Sequence, residues 1–139
     1  MTLQKELEQI LLDDAKIDSK LEELARLKAL TTKVTAAMDG EVVSRSRNTD
    51  TMAEAVIKIV EMQDEINSLV DSYVDRKAFY AQAIDSLPKP VYIRVLYGYY
   101  YHGKSFQQIA DEIGYTRRNV CYIHGDALQA LENVLNRAK

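Results

Sequence analysis

The sequence predicts an all-α chain, with a long helical front followed by a three-helix unit, and three observations predict it. Apolar residues recur at steps of three and four through residues 3–30 and again through 52–87. Pro88, Pro90, Gly103 and Gly114 divide the remainder into helix-sized pieces. The composition, 47% hydrophobic and 28% charged with five Gly and two Pro among 139 residues, is that of an ordered protein rich in helix.

The first element holds Leu3, Leu7, Ile10, Ile17, Leu21 and Leu24 in alternating steps of three and four, with Asp14 in one place on the seam. This is a coiled-coil pattern. Leu11, Leu27 and Leu30 widen the apolar stripe, so a plain amphipathic helix packed on more than one neighbour fits equally well. Residues 31–48, TTKVTAAMDGEVVSRSRN, interrupt the pattern with Thr, Gly40 and a Ser/Arg cluster, which predicts a loop or hinge. Arg45 and Arg47 there are candidate phosphate contacts or ordinary solvated residues.

Thr49 or Asp50 can cap the second helix. Met52, Val56, Ile59, Ile66, Val70, Tyr73, Tyr80, Ile84 and Leu87 then keep the three/four steps, with Gln63 and Lys77 as polar interruptions. A helix over 50–86 would be ~55 Å long at 1.5 Å per residue, more than a domain of this size buries along its whole length. It needs a partner, either the first helix folded back or a second copy of the chain. A polar seam residue such as Gln63 can fix register and strand number. The candidate oligomerisation residues are Val56, Ile59, Gln63, Ile66, Val70 and Tyr73.

Leu87-Pro88-Lys89-Pro90 ends this helix, because the residue before a proline is driven out of the α region. The domains expected are 1–87 and 88–139. A lead-in helix follows, with Val91, Tyr92, Val95, Leu96 and Tyr99 facing inward and His102-Gly103 at its end. Seven of the nine tyrosines, at 92, 97, 99, 100, 101, 115 and 122, belong to the C-terminal part. Tyr92 and Tyr99 are expected in the core, Tyr115 and Tyr122 on an exposed binding face, and Tyr97, Tyr100 and Tyr101 in a protein-contact patch.

The remaining two helices are the most informative stretch. Ser105 can cap one on which Phe106, Ile109, Ala110 and Ile113 share a face, and Gly114 supplies the positive φ that stops it. Thr116 starts the next, where Val120, Ile123, Ala127, Leu128 and Leu131 repeat at helical period. Two helices joined by so short a turn must cross steeply, and Ala110 is the small residue that lets them approach. This is the pattern of a helix-turn-helix.

Charge agrees with that reading in distribution more than in total. The net charge of −3 argues alone against a nucleic-acid partner, yet residues 1–87 carry 17 Asp and Glu against 11 Lys and Arg, and residues 88–139 carry 4 against 7. The basic end is the end with the motif. No stretch approaches the ~20 apolar residues of a membrane span, and no signal-peptide pattern begins the chain, so a cytoplasmic location is expected. Cys121 has no second thiol for a disulfide or zinc pair. Cys121 and His124 stand three apart and could offer two metal ligands, but no third is evident; His102 belongs to a different helix. Neither phosphate-loop pattern is present, so no enzyme, metal or cofactor is expected.

The run TRRNVCYIHGDALQAL resembles the end of the fourth conserved region of bacterial sigma factors, in which a Thr-Arg start, an inward Val, an inward Ile and a later Ala-Leu recur at these intervals. That resemblance covers the C-terminal third. The whole chain, with its acidic helical front, its LPKPVYIRVLYGYYYHGKS lead-in and its DEIGYTRRNVCYIHGDAL close, resembles the ArpU-like and RinA-like phage-encoded regulators of late transcription. The first resemblance implies that Arg117 occupies the place of a DNA-contacting arginine. At Arg118, Asn119, Cys121 and Tyr122 sigma factors usually carry Glu, Arg, Arg and Gln, so the usual promoter element is not the expected target. The second implies an activator of phage late genes in a bacterial host cell, in contact with RNA polymerase.

In a helix-turn-helix the start of the second helix enters the major groove of double-stranded DNA. Base contacts are therefore expected from Arg117, Arg118, Asn119, Cys121 and Tyr122, since arginine can hold guanine and asparagine adenine with two hydrogen bonds. Lys104, Ser105, Gln107, Gln108 and Thr116 are the candidate phosphate contacts. The expected function is that of a sequence-specific transcription regulator acting as a homo-oligomer, dimer or higher. Two alternatives remain: a DNA-packaging subunit of the small-terminase kind, or an adaptor that grips RNA polymerase without binding DNA itself.

Overall fold

The computed structural model describes residues 2–38 and 45–138. Among them the chain is all-α, with no strand: α1 is Leu3–Met38, α2 Arg45–Asp85, α3 Pro90–Leu96, α4 Phe106–Ile113 and α5 Arg117–Arg137, and a π-helical turn, Tyr97–Tyr101, continues α3. No helix of the described residues is long and apolar enough to cross a membrane.

The break expected over 31–48 is narrower in the structure. Helix α1 continues to Met38 and α2 already runs at Arg45, so Thr49 and Asp50 lie inside α2 and not at its start. The threonines that argued for a loop are accommodated because their hydroxyls find helix carbonyls one turn back. Thr31 Oγ1 donates to Leu27 O at 3.0 Å and Thr32 Oγ1 to Lys28 O at 3.2 Å. Gly40 and the Val-Val-x-Ser run, like the side chains of Arg45 and Arg47, lie outside the described residues.

The chain divides into two compact units, one of Met1–Asp14 with Tyr73–Lys139 and one of Ala15–Ser72. The first contains the three short helices and two buried clusters. In one cluster, Leu7 and Ile10 of α1 and Tyr80 and Ile84 of α2 meet Leu87, Leu96, Tyr100, Ala127 and Leu131. In the other, Val95 of α3 meets Ile109 and Ala110 of α4 and Val120 and Ile123 of α5. The helical front thus supplies part of the core on which α3 and α5 rest.

Polar seam residues in this unit have partners within the chain. Asp13 is buried, and its two oxygens accept from Arg76 Nη1 at 2.7 Å and Gln9 Nε2 at 2.8 Å. Asp14 accepts from the Tyr73 hydroxyl at 3.1 Å, which itself accepts from Lys77 Nζ at 3.2 Å. Lys77 also stands 4.8 Å from the Tyr73 ring centre and 5.0 Å from that of Tyr101, a cation–π arrangement. Tyr80 donates to Glu6, and burial together with that carboxylate pushes its phenol well above the ordinary range.

The second unit, Ala15–Ser72, buries less. Ile17, Leu24 and Ile66 are its buried hydrophobics among the described residues, while Leu21, Leu30, Val56, Ile57 and Val60 are exposed. Lys20 and Glu65 form an ion pair at 2.7 Å, which lowers the Glu65 pKa; such surface pairs contribute little to stability. Ile66, a candidate for oligomerisation, is covered within the chain. Ile59, Gln63 and Val70 are half-buried.

Candidate nucleic-acid interface

Helix α4 begins with a reciprocal cap. Gln108 N donates to Ser105 Oγ at 3.1 Å and Ser105 N donates to Gln108 Oε1 at 2.8 Å, satisfying two donors that a helix start leaves open. It ends at Gly114, φ +74°, whose N–H bonds the Ala110 carbonyl. A residue with a Cβ is strained at that φ, so glycine here is a backbone requirement. Thr116 then caps α5 by accepting from Asn119 N at 3.1 Å. The two helices are packed by the predicted residues: Ala110 and Val120 are fully buried, Ile109 and Ile123 nearly so.

The lead-in departs from a plain α-helix at Tyr97–Tyr101. A π turn shifts each following side chain around the axis, and consecutive tyrosines acquire different partners. Tyr97 donates to Asp85 Oδ1 at 2.7 Å, and burial with that carboxylate pushes its phenol up to about 12. Tyr99 stacks on Phe106 with ring centres 4.6 Å apart. Tyr100 is fully buried, and Tyr101 donates to the Lys77 carbonyl at 2.6 Å. The expected patch of Tyr97, Tyr100 and Tyr101 is therefore not a free surface, because these hydroxyls and rings fasten α3 to α2 and α5. Gly98 belongs to the same contact: a Cβ there would stand 3.2 Å from the Ile109 side chain.

His124 is the residue the spacing argument passed over. It is buried on α5, where its Nε2 shares a 2.7 Å hydrogen bond with the Tyr100 hydroxyl. Its ring lies 5.5 Å from Tyr99 and 5.0 Å from Phe106. Burial holds its pKa below the ordinary histidine value, partly opposed by Glu8. Its signal was visible in the sequence, since position 124 is four past Val120 and three before Ala127, on the inward stripe. Cys121 is exposed while His124 is buried, so the pairing of the two as ligands does not occur. Among the described residues no group of three His, Cys, Asp or Glu side chains can hold a metal.

With its inner face held, α5 turns the other side outward. Arg117, Arg118, Asn119, Cys121 and Tyr122 are all exposed. Neither arginine enters an ion pair among the described residues. Arg118 lies over the Tyr122 ring at 5.8 Å and donates to its hydroxyl from Nη2 at 3.3 Å. Ser105, Gln107, Gln108 and Thr116 are exposed, and Lys104 is half-buried. Lys104 pairs with Glu112 at 3.0 Å and Gln107 Nε2 donates to Asp111 at 2.9 Å.

Comparison with known proteins agrees with this geometry over the same segment. The family model described as Sigma-70, region 4 matches residues 93–133, from within α3 to the last turns of α5. No curated protein and no solved structure matches the chain.

Proposed function

We propose that this protein is a sequence-specific DNA-binding regulator of transcription that acts as an oligomer, with α5 as the helix that enters the major groove. The observation that carries the reading is the outward face of the first turns of α5. It presents two arginines without ion-pair partners among the described residues, beside an asparagine and a tyrosine, on a helix locked from behind. The positive end of the helix dipole lies at the same place, which favours an approaching phosphate strand. The similarity of residues 93–133 to sigma region 4 supports the same partner.

In this reading Arg117, Arg118, Asn119, Cys121 and Tyr122 meet base edges. Ser105, Gln107, Gln108, Thr116 and Lys104 meet phosphates. The Ser105 and Thr116 hydroxyls accept from backbone N–H groups and still have a proton to donate. Lys104 and Gln107 exchange weak surface partners for phosphate. Oligomerisation uses the exposed apolar residues of Ala15–Ser72, with Val56 joined by Ile57 and Val60, and raises affinity for repeated half-sites by effective concentration. The likeness of the whole chain to phage late regulators directs the proposal to late-gene activation with RNA polymerase as a further contact.

The test is selection of bound fragments from a random DNA pool by wild type and by an Arg117→Ala/Arg118→Ala variant. Enrichment of a repeated motif by wild type alone is the expected result. Arg117→Ala should then cost about 1–3 kcal/mol on that motif. Equal loss on every sequence would reduce Arg117 to a neutraliser of phosphate, and no enrichment by wild type would move the function to an adaptor that leaves DNA alone.

A further inference from the structure

We infer that Gly125 is a clearance point for DNA, a bare place in the middle of the outward face of α5 where a phosphodiester strand passes against the helix. The inference rests on the DNA-binding reading above and extends it to a residue that has no side chain with which to make a contact.

Glycine in the interior of an exposed helix is the poorest helix former after proline, so its presence there lowers the stability of the helix and calls for an account. The other described glycines have theirs inside the protein. Gly103 and Gly114 take φ of +66° and +74°, and a Cβ on Gly98 would press on Ile109 at 3.2 Å. Gly125 has neither reason: its φ is not positive, and a Cβ built on it meets nothing within 4 Å. Nothing within the chain forbids a side chain at this position.

Its location supplies a reason from outside the chain. At 3.6 residues per turn, Gly125 is about two turns beyond Arg118 and about one beyond Tyr122, on the same stripe. The opposite stripe is the buried one, Val120, Ile123, His124, Ala127 and Leu131. Seven residues of helix advance ~10.5 Å, close to the ~12 Å width of a major groove. A helix whose first turns touch base edges through Arg117 and Arg118 therefore meets the wall of the groove near residue 125. A side chain there would hold the helix off and draw the arginines back from the bases.

The experiment compares full-length wild type, Gly125→Ala and Gly125→Leu, each by thermal melting and by titration of the DNA fragment that wild type enriches from the random pool. Expected is a divergence of the two readouts. Gly125→Ala melts a few degrees above wild type, because alanine is the better helix former, yet binds more weakly. Gly125→Leu loses about 5- to 100-fold in affinity, the range for one or two lost groove contacts, and the alanine variant falls between it and wild type. Wild-type affinity in the alanine variant would overturn the clearance role while leaving DNA binding intact, as would weaker binding that merely tracks a lower melting temperature. Failure of wild type to enrich any sequence would instead sink the DNA-binding reading, and the clearance role with it.

Discussion

The two compact units draw on the same long helices but differ in how much apolar surface the chain itself covers. Met1–Asp14 with Tyr73–Lys139 exposes Leu12, Val74 and Phe79 but also closes two buried clusters, uses its tyrosine hydroxyls as fasteners, and leaves no buried side-chain polar atom of the described residues without a partner. Ala15–Ser72 buries Ile17, Leu24 and Ile66 and exposes Leu21, Leu30, Val56, Ile57 and Val60. Helix–helix contact in the first unit is reinforced by a third layer from α3 and α5, whereas the second has only one helix to set against another. A pair of helices cannot hide a wide stripe on each, so apolar residues remain outside. In the proposed function the two units take separate tasks, presentation of the binding face by one and association with another chain by the other.

Three substitutions or conditions would break or sharpen that contrast. The largest effect is expected from Ile84→Ala, which removes a fully buried side chain from the cluster joining α1 and α2 to α5. Chemical denaturation should show a loss of about 2–5 kcal/mol. A loss below 1 kcal/mol would mean that the helix-turn-helix segment does not depend on the front for its core.

Acid should act next, through His124. Its folded pKa is depressed by burial, so the unfolded chain takes up the proton first as pH falls below about 6.5. Stability contributed by the neutral ring is fully present above that value and is lost as pH falls toward the folded pKa. Denaturation curves between pH 8 and pH 5 should show this decline in wild type and a flatter course in His124→Leu. Equal slopes would assign the acid sensitivity to other groups.

The smallest effect on folding is expected from a Val56→Ser/Val60→Ser variant in Ala15–Ser72. Both residues are about half exposed, at 46% and 50%, so the melting of the single chain should change by no more than ~0.5 kcal/mol. Sedimentation should find wild type self-associated, as proposed, and the variant less so, and a monomeric wild type would overturn the proposed oligomer. Unchanged association would place the interface elsewhere.

Much of the architecture was legible because helical period, caps and breakers are local. Ser105, Gly114 and Thr116 each act on hydrogen bonds within four residues, so the α4–α5 pair could be delimited from sequence alone. The inward residues Ile109, Ala110, Val120 and Ile123 followed from the 3.6-residue repeat. The extent of the front helices was less legible. Thr31 and Thr32 read as breakers, yet their hydroxyls bond their own helix, and residue type alone does not distinguish the two outcomes.

The sequence by itself determined the helical class, the order of elements, the turn at Gly114 and the identity of the side chains on the first turns of α5, all consequences of interactions within one or two turns of chain. Only tertiary structure decided that Tyr100 and His124 share a buried hydrogen bond, that Tyr97 and Tyr101 fasten α3 to α2, and that Leu7, Ile10, Tyr80 and Ile84 complete a core with Leu96 and Leu131. Those contacts join residues far apart in the chain, and a π turn redirects the tyrosines that make them. Their partners are set by where helices cross, which no local pattern encodes.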